Sequence, residues 1–251
     1  MNNHPRGRSR YSRPPLAVAI VALLLSGQTT LHAQVVVTNT SQAGAGSAFA
    51  VSNSDLFQTN LSSVSTTGTF SSFFTNTPSL LVNSDFGPEG NGAAAASASV
   101  GPQSGATIRF DLDLSVHTAG YNVTRLETFA GWDSGRDGQQ YTVAYSTVAA
   151  PNTFSLLATI PQFNPPPDPG GINNTRVSLT DSSGFLAVDV AAFRYTFTGF
   201  ENNGTAYREV DAFGTPAPVP EPACVLLVCA AGGLAWRARR RRRRGTDPAG
   251  M

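Results

Sequence analysis

Lysine is absent: all 17 basic side chains of this 251-residue chain are arginine. Between Gln34 and Pro220 there is no cysteine and a single histidine, His117, because Cys224 and Cys229 stand near the C-terminus and His4 and His32 precede the body. A body without cysteine has no disulfide and must be held by a hydrophobic core, which a stretch of this length supplies. One histidine without cysteine excludes an ordinary zinc cluster. A Ser-His-Asp triad would have to use His117, and no G-x-S-x-G sequence frames a serine. Charge is scarce as well, at 13% of residues. The body carries six arginines against fourteen acids, a balance of −8, which argues against nucleic-acid binding, since that needs a basic footprint.

The remaining arginines sit at the two ends. Arg6, Arg8, Arg10 and Arg13 precede an apolar run from Leu16 to Leu25, and Thr30-Leu31-His32-Ala33 follows. A basic start, a short apolar core and a small residue at the cut make a secretory signal peptide over 1–33, with cleavage after Ala33 by signal peptidase. The alternative is an uncleaved anchor, for which the apolar run is short. No twin arginine is present, which favours the general secretory route.

At the other end, Pro216-Ala217-Pro218-Val219-Pro220-Glu221-Pro222 is stiff and extended. An apolar stretch from Ala223 to Trp236 follows, then an arginine cluster, Arg237 and Arg239 to Arg244. Positive charge beyond an apolar segment stays on the cytoplasmic side, so such a tail stops transfer and leaves the body outside. The apolar run is short for a permanent span and suits transient membrane anchoring. Val219, Pro220, Glu221 and Pro222, the short apolar helix and the arginine cluster together resemble the PEP-CTERM sorting signal. That resemblance covers about the last thirty residues. It implies an exosortase-like sorting enzyme as partner, cleavage near the motif, and delivery to the cell surface or extracellular polymer. An ordinary tail anchor behind a proline-rich hinge is the alternative.

The body reads as all-β. Ile108, Phe110, Leu112 and Leu114 alternate with polar residues, as do Tyr141, Val143 and Tyr145, and Phe193, Tyr195 and Phe197. A period of two marks strands with one face buried. Further strands are expected at Val35 to Thr38, Leu61 to Val64, Phe70 to Phe74, Ser79 to Val82, Val123 to Phe129, Phe154 to Thr159, Thr175 to Thr180 and Ala206 to Phe213. Ala93 to Ala96 reads equally as a helical turn or a loop. Many short strands separated by Gly, Pro, Asn and Asp turns mean an antiparallel β-sandwich of jelly-roll type. The divisions are a signal peptide with its terminal helix (1–33), Ser/Thr/Asn-rich strands or an arm (34–82), the sandwich (83–214), a proline-rich linker (215–222), an apolar helix with its arginine cluster (223–244), and a disordered end (245–251).

Three stretches carry a second resemblance. Gln140 to Thr147 is similar to a strand ending in "YST", Ala191 to Phe197 to one reading "ARYVRLTF", and Arg208 to Gly214 to a closing "EIEVYG". Together they resemble the galactose-binding-like, discoidin-type jelly roll over 83–214. The resemblance implies a non-catalytic domain that binds glycans, lipids or proteins through loops at one end, with an extracellular polysaccharide as a candidate partner. It also implies a structural calcium ion, with Glu209 and Asp85 as candidate ligands; the alternative for Glu209 is an ion pair with Arg208 or Arg194. No other cofactor is expected.

For the ligand, the segment from Gly131 to Gly138 offers Trp132 to stack on a sugar, Arg136 for directed hydrogen bonds, and Asp133 and Asp137 to meet hydroxyls. The alternative is that Trp132 fills the core and Arg136 forms a salt bridge within the loop. Carboxylate pairs that would suit a glycosidase are Asp111 with Asp113, Asp133 with Asp137, and Glu209 with Asp211. Two of these lie two apart on strands, where a solvated face is the ordinary explanation. The expectation is therefore an exported surface or matrix protein, either glycan-binding or a passive component of the polymer, and not an enzyme.

Overall fold

The computed structural model describes residues 34–219 apart from 134, 164–170, 183, 200 and 203. The expected signal peptide, and the tail from 220 onward with most of its sorting motif, lie outside the described residues. Among the described residues no helix is long and apolar enough to cross a membrane.

Among the described residues nine strands form: β1 (Val35–Ala43), β2 (Leu61–Thr67), β3 (Thr107–Leu112), β4 (Tyr121–Asp133), β5 (Gln139–Thr147), β6 (Ala150–Phe163), β7 (Ile172–Asp181), β8 (Ala187–Phe197) and β9 (Tyr207–Pro216). Every pairing is antiparallel. Hydrogen bonding links them into two layers, β1-β7-β4-β9 and β2-β3-β8-β5-β6. The layers join at one corner, where Tyr121 pairs with Val190 and Val123 with Ala187. From β3 onward the chain passes repeatedly from one layer to the other, which is the jelly-roll arrangement the turn spacing predicts.

The inward positions of the alternating strands meet between the layers. Phe110, Tyr195, Phe193 and Val143 of the five-stranded layer share one core with Leu126, Val177, Leu179 and Val210 of the four-stranded layer. Tyr207 of β9 reaches across to Phe197 of β8, with ring centroids 4.9 Å apart. A core of this kind replaces the missing disulfides.

The stretch 34–82 is built into both layers. β1 pairs with β7 over nine residues and β2 with β3. Between them a one-turn helix, Leu56–Thr59, is capped by Asp55, whose carboxyl accepts from the Phe57 amide. The helix buries Leu56 and Phe57, and Phe57 stacks on Phe110 at 4.7 Å. Two expected strands are not strands. Pro78–Val82 is a 3-10 helix, started by a proline whose missing amide costs nothing at that position. Residues 70–74 form a turn with a single bridge, Phe70 to Pro102. Ala93–Ser97 is a helix.

Candidate functional site

The loops β4–β5 and β8–β9 and the turn at 71–76 meet at one end of the sandwich. Trp132 lies at the end of β4 and is 4% exposed, so it fills the structure as the alternative reading held. It packs edge-on against Phe74 at 5.4 Å and Phe73 at 5.6 Å, and the two phenyl rings are themselves perpendicular at 5.3 Å. Gly101 makes this possible, because any Cβ there would collide with the Phe74 ring. Asn76 holds the turn: its Nδ2 donates to the Phe74 carbonyl, and its Oδ1 accepts from the Gly101 amide.

Phe73 is the member of this cluster that reaches solvent, at 52% exposure. The Arg136 guanidinium lies over its ring, 4.7 Å from the centroid. Among the described residues Arg136 makes no salt bridge, and its guanidinium donates to the Gly204 carbonyl at 3.5 Å. Burial lowers its pKa from the usual guanidinium value, yet arginine stays charged at any physiological pH. Among the described residues an aromatic bed stands where a loop salt bridge was expected, and it holds the cation beside the Gly204 carbonyl.

The loop carrying Arg136 is pinned on both sides. The Ala206 amide donates to the Arg136 carbonyl at 2.7 Å, and the Gly138 amide to Glu201 Oε2 at 2.7 Å. Asp137 is buried and accepts from Asn173 Nδ2 at 2.6 Å and from the Gly135 amide. Burial raises the pKa of Asp137 and of Glu201. Asp133 is half-buried and accepts from Asn91. Of the sequence-predicted group, Arg136 lies beside Trp132 with Asp137 buried next to it in the loop, while Asp133 is held by Asn91. Phe73 is absent from the predicted group.

The candidate metal residues lie elsewhere, on the outer face of the four-stranded layer. Glu209 and Asp211 stand two apart on β9 and are buried, so the solvated-face explanation of their spacing does not hold. The segment 47–58 and the turn at 83–86 cover them. Gln58 Nε2 and the Ser84 amide donate to Glu209 Oε1, and the Ser52 amide donates to Asp211 Oδ2. Burial pushes Glu209 up to about 9, reinforced by Asp211. Burial also pushes Asp211 up to about 7, with Asp55 adding to it.

Calcium requires six to eight oxygen ligands. The groups meeting Glu209 are N–H donors, and Asp85 accepts from the Gly87 amide instead. Among the described residues no group of three acidic, histidine or cysteine side chains is placed to hold a metal. Glu209 Oε2 and Asp211 Oδ1 are buried without a hydrogen-bond partner among the described residues, which leaves two acceptor oxygens for a cation. Glu209 also pairs with neither arginine proposed for it. Arg208 is fully buried and donates to the Gly131 and Ala95 carbonyls, while Arg194 belongs to the other layer.

The remaining carboxylate pairs are separated by their partners. Asp111 is bound by Arg109 at 2.6 Å, and Asp113 accepts from the Ser115 amide past the strand end.

No family model and no curated protein matches the chain. Two solved structures are similar to it. CBM32-1 from a family 31 glycoside hydrolase of Clostridium perfringens is 12% identical with a TM-score of 0.41, over 63% of this chain and 99% of its own. A pectin binding carbohydrate binding module is 12% identical with a TM-score of 0.37, over 64% of this chain and 94% of its own.

Proposed function

We propose that this chain is an exported, non-catalytic glycan-binding protein whose contact surface is the sandwich end bearing Phe73 and Arg136. The observation that carries the reading is the pair itself: a half-exposed phenyl ring with a guanidinium stacked on it that has no carboxylate partner among the described residues. A sugar ring presents an apolar C–H face to an aromatic and hydroxyls or a carboxylate to guanidinium donors, and the pair offers both within one contact. The backbone bonds that fix Arg136 keep it in place before a ligand arrives, which lowers the ordering cost of binding.

Export and sorting belong to the same proposal and rest on the sequence of the ends. Signal peptidase removes 1–33. An exosortase-like enzyme acts at Val219-Pro220-Glu221-Pro222, after transient anchoring by 223–244, and leaves the body at the surface or in the extracellular polymer. Val219 is exposed at the end of the described residues, accessible to such an enzyme. A screen of the full chain against neutral and acidic polysaccharides tests the ligand reading. Saturable binding that weakens in Arg136→Ala and Phe73→Ala supports it, and binding indifferent to both substitutions removes this end from the account.

A further inference from the structure

The outer face of the five-stranded layer breaks a local rule of sheet design. Arg109 of β3 and Arg194 of β8 stand directly opposite each other, both directed outward. Like charges at directly opposed positions destabilise a sheet. They are two of only six arginines between Gln34 and Pro220. The structure softens the conflict in two ways. Asp111 binds Arg109 through Nε and Nη2, and both guanidinium groups lie over the single ring of Phe154, at 5.2 Å for Arg109 and 4.4 Å for Arg194. Arg194 itself is exposed and has no carboxylate partner among the described residues. Such a local conflict, kept without a structural return, is the pattern expected of a functional surface.

The neighbouring row supplies the rest. Thr67 pairs with Thr107, Thr107 with Thr196, Thr196 with Thr142, and Thr142 with Thr159. One threonine from each of the five strands therefore lines up across the sheet, a hydroxyl row of about 19 Å at the usual strand spacing. The row beside it reads Ser65, Arg109, Arg194, Ala144 and Leu156, with Leu156 65% exposed.

We infer that this face is a second binding surface, separate from the Arg136 end, for a carboxylate-bearing polysaccharide lying across the strands. The Arg194 guanidinium over Phe154 takes the carboxylates, since a planar fork of N–H donors matches that group, while Arg109 stays bound to Asp111 beside it. The threonine row meets the sugar hydroxyls, and Leu156 and the Phe154 edge meet apolar ring faces. An end site and a side site on one small body would join two polymer chains, or two parts of one, with the gain in avidity that linked sites bring.

The test is titration of the full chain with alginate, a carboxylate polymer, with dextran as a neutral control, in an Arg136→Ala background that silences the end site. Alginate binding that persists in this background, and falls about tenfold when Arg194→Ala or Phe154→Ala is added, is the expected result. The melting temperature of Arg194→Ala is expected to stay level or rise, because the substitution relieves the opposed charges. Alginate binding that disappears with Arg136→Ala alone, that ignores Arg194→Ala and Phe154→Ala, or that is absent from the unaltered chain overturns the inference. So does weakened binding that tracks a lowered melting temperature. Loss on Arg194→Ala with no effect of Arg136→Ala on any glycan would leave this surface standing and remove the end site instead.

Discussion

Asp55 and Asp211 hold each other's segments. The Asp55 carboxyl accepts from the Ala212 amide at 3.1 Å, and the Asp211 carboxyl accepts from the Ser52 amide at 2.9 Å. With Gln58 donating to Glu209, these contacts clamp the segment between β1 and β2 onto β9. Asp55, Glu209 and Asp211 each keep one buried carboxyl oxygen without a partner.

This clamp makes stability depend on pH. Asp211 is raised from 3.8 to about 7 and Glu209 from 4.5 to about 9, chiefly by burial, with Arg125 the opposing cation beside Asp211. Above pH 4 the unfolded chain ionises these groups while the fold keeps them protonated. The folded state then holds more protons, so stability falls as pH rises, through about 7 for Asp211 and about 9 for Glu209, and levels off beyond. Each proton contributes a slope of about 1.4 kcal/mol per pH unit in its window. Denaturant unfolding at pH 5, 7 and 9 is expected to show the decline. Glu209→Gln is expected to flatten it and to be the more stable form at pH 9. With the carboxyls protonated in the fold, chelator and added calcium are expected to leave the profile unchanged; stabilisation by calcium at high pH would instead make the unpartnered oxygens of Glu209 and Asp211 its ligands.

Arg208 is a buried cation held by two carbonyls. It ties β9 to Gly131 of β4 and to Ala95 of the helix Ala93–Ser97, and burial lowers its pKa to about 10. Arg208→Met removes the donors that join the Gly131 and Ala95 carbonyls and is expected to cost about 3 kcal/mol or more. Arg208→Lys is expected to recover only part, because an ammonium cannot reproduce the planar fork. Thermal unfolding of the two variants measures both effects.

Phe57 tests whether the stretch before residue 60 belongs to the folding unit. It is buried against Phe110 and Phe193. Phe57→Ala is expected to destabilise the whole sandwich by about 3 to 5 kcal/mol in one cooperative transition. A separate early transition, with the main one unmoved, would show an independently folding arm.

Strands β3, β5 and β8 were legible from alternation because one face of each meets the core and the other meets water. β9 was legible as a strand, but its burial was not. Glu209 and Asp211 read as an outward face, and the residues covering them lie 125 to 159 positions away in the chain. Only tertiary structure brings that cover, and with it the pKa shifts. The turn at 70–74 was misread because three phenylalanines in five residues imitate strand composition. In fact Phe74 is turned inward beneath Trp132 and Phe73 outward beneath Arg136. Trp132 and Arg136 were visible as a pair of chemistry-bearing residues in one loop. Phe73 was not, because nothing in sequence links it to that loop.

Gly101 offers an indirect handle on the end site. Gly101→Ala forces the Phe74 ring aside, and the aromatic bed under Arg136 shifts with it. Glycan affinity is expected to fall by about tenfold although Gly101 touches no ligand. Tryptophan fluorescence reports the disturbed Trp132 packing in the same sample.

The central claim is that Phe73 and Arg136 form a glycan contact. Its most direct measurement is calorimetric titration of the full chain, the Phe73→Ala variant and the Arg136→Ala variant with the polysaccharide that binds best in the screen. The account predicts saturable binding by the unaltered chain and a loss of about tenfold or more in each variant at an unchanged melting temperature. Equal affinity in all three proteins would contradict it.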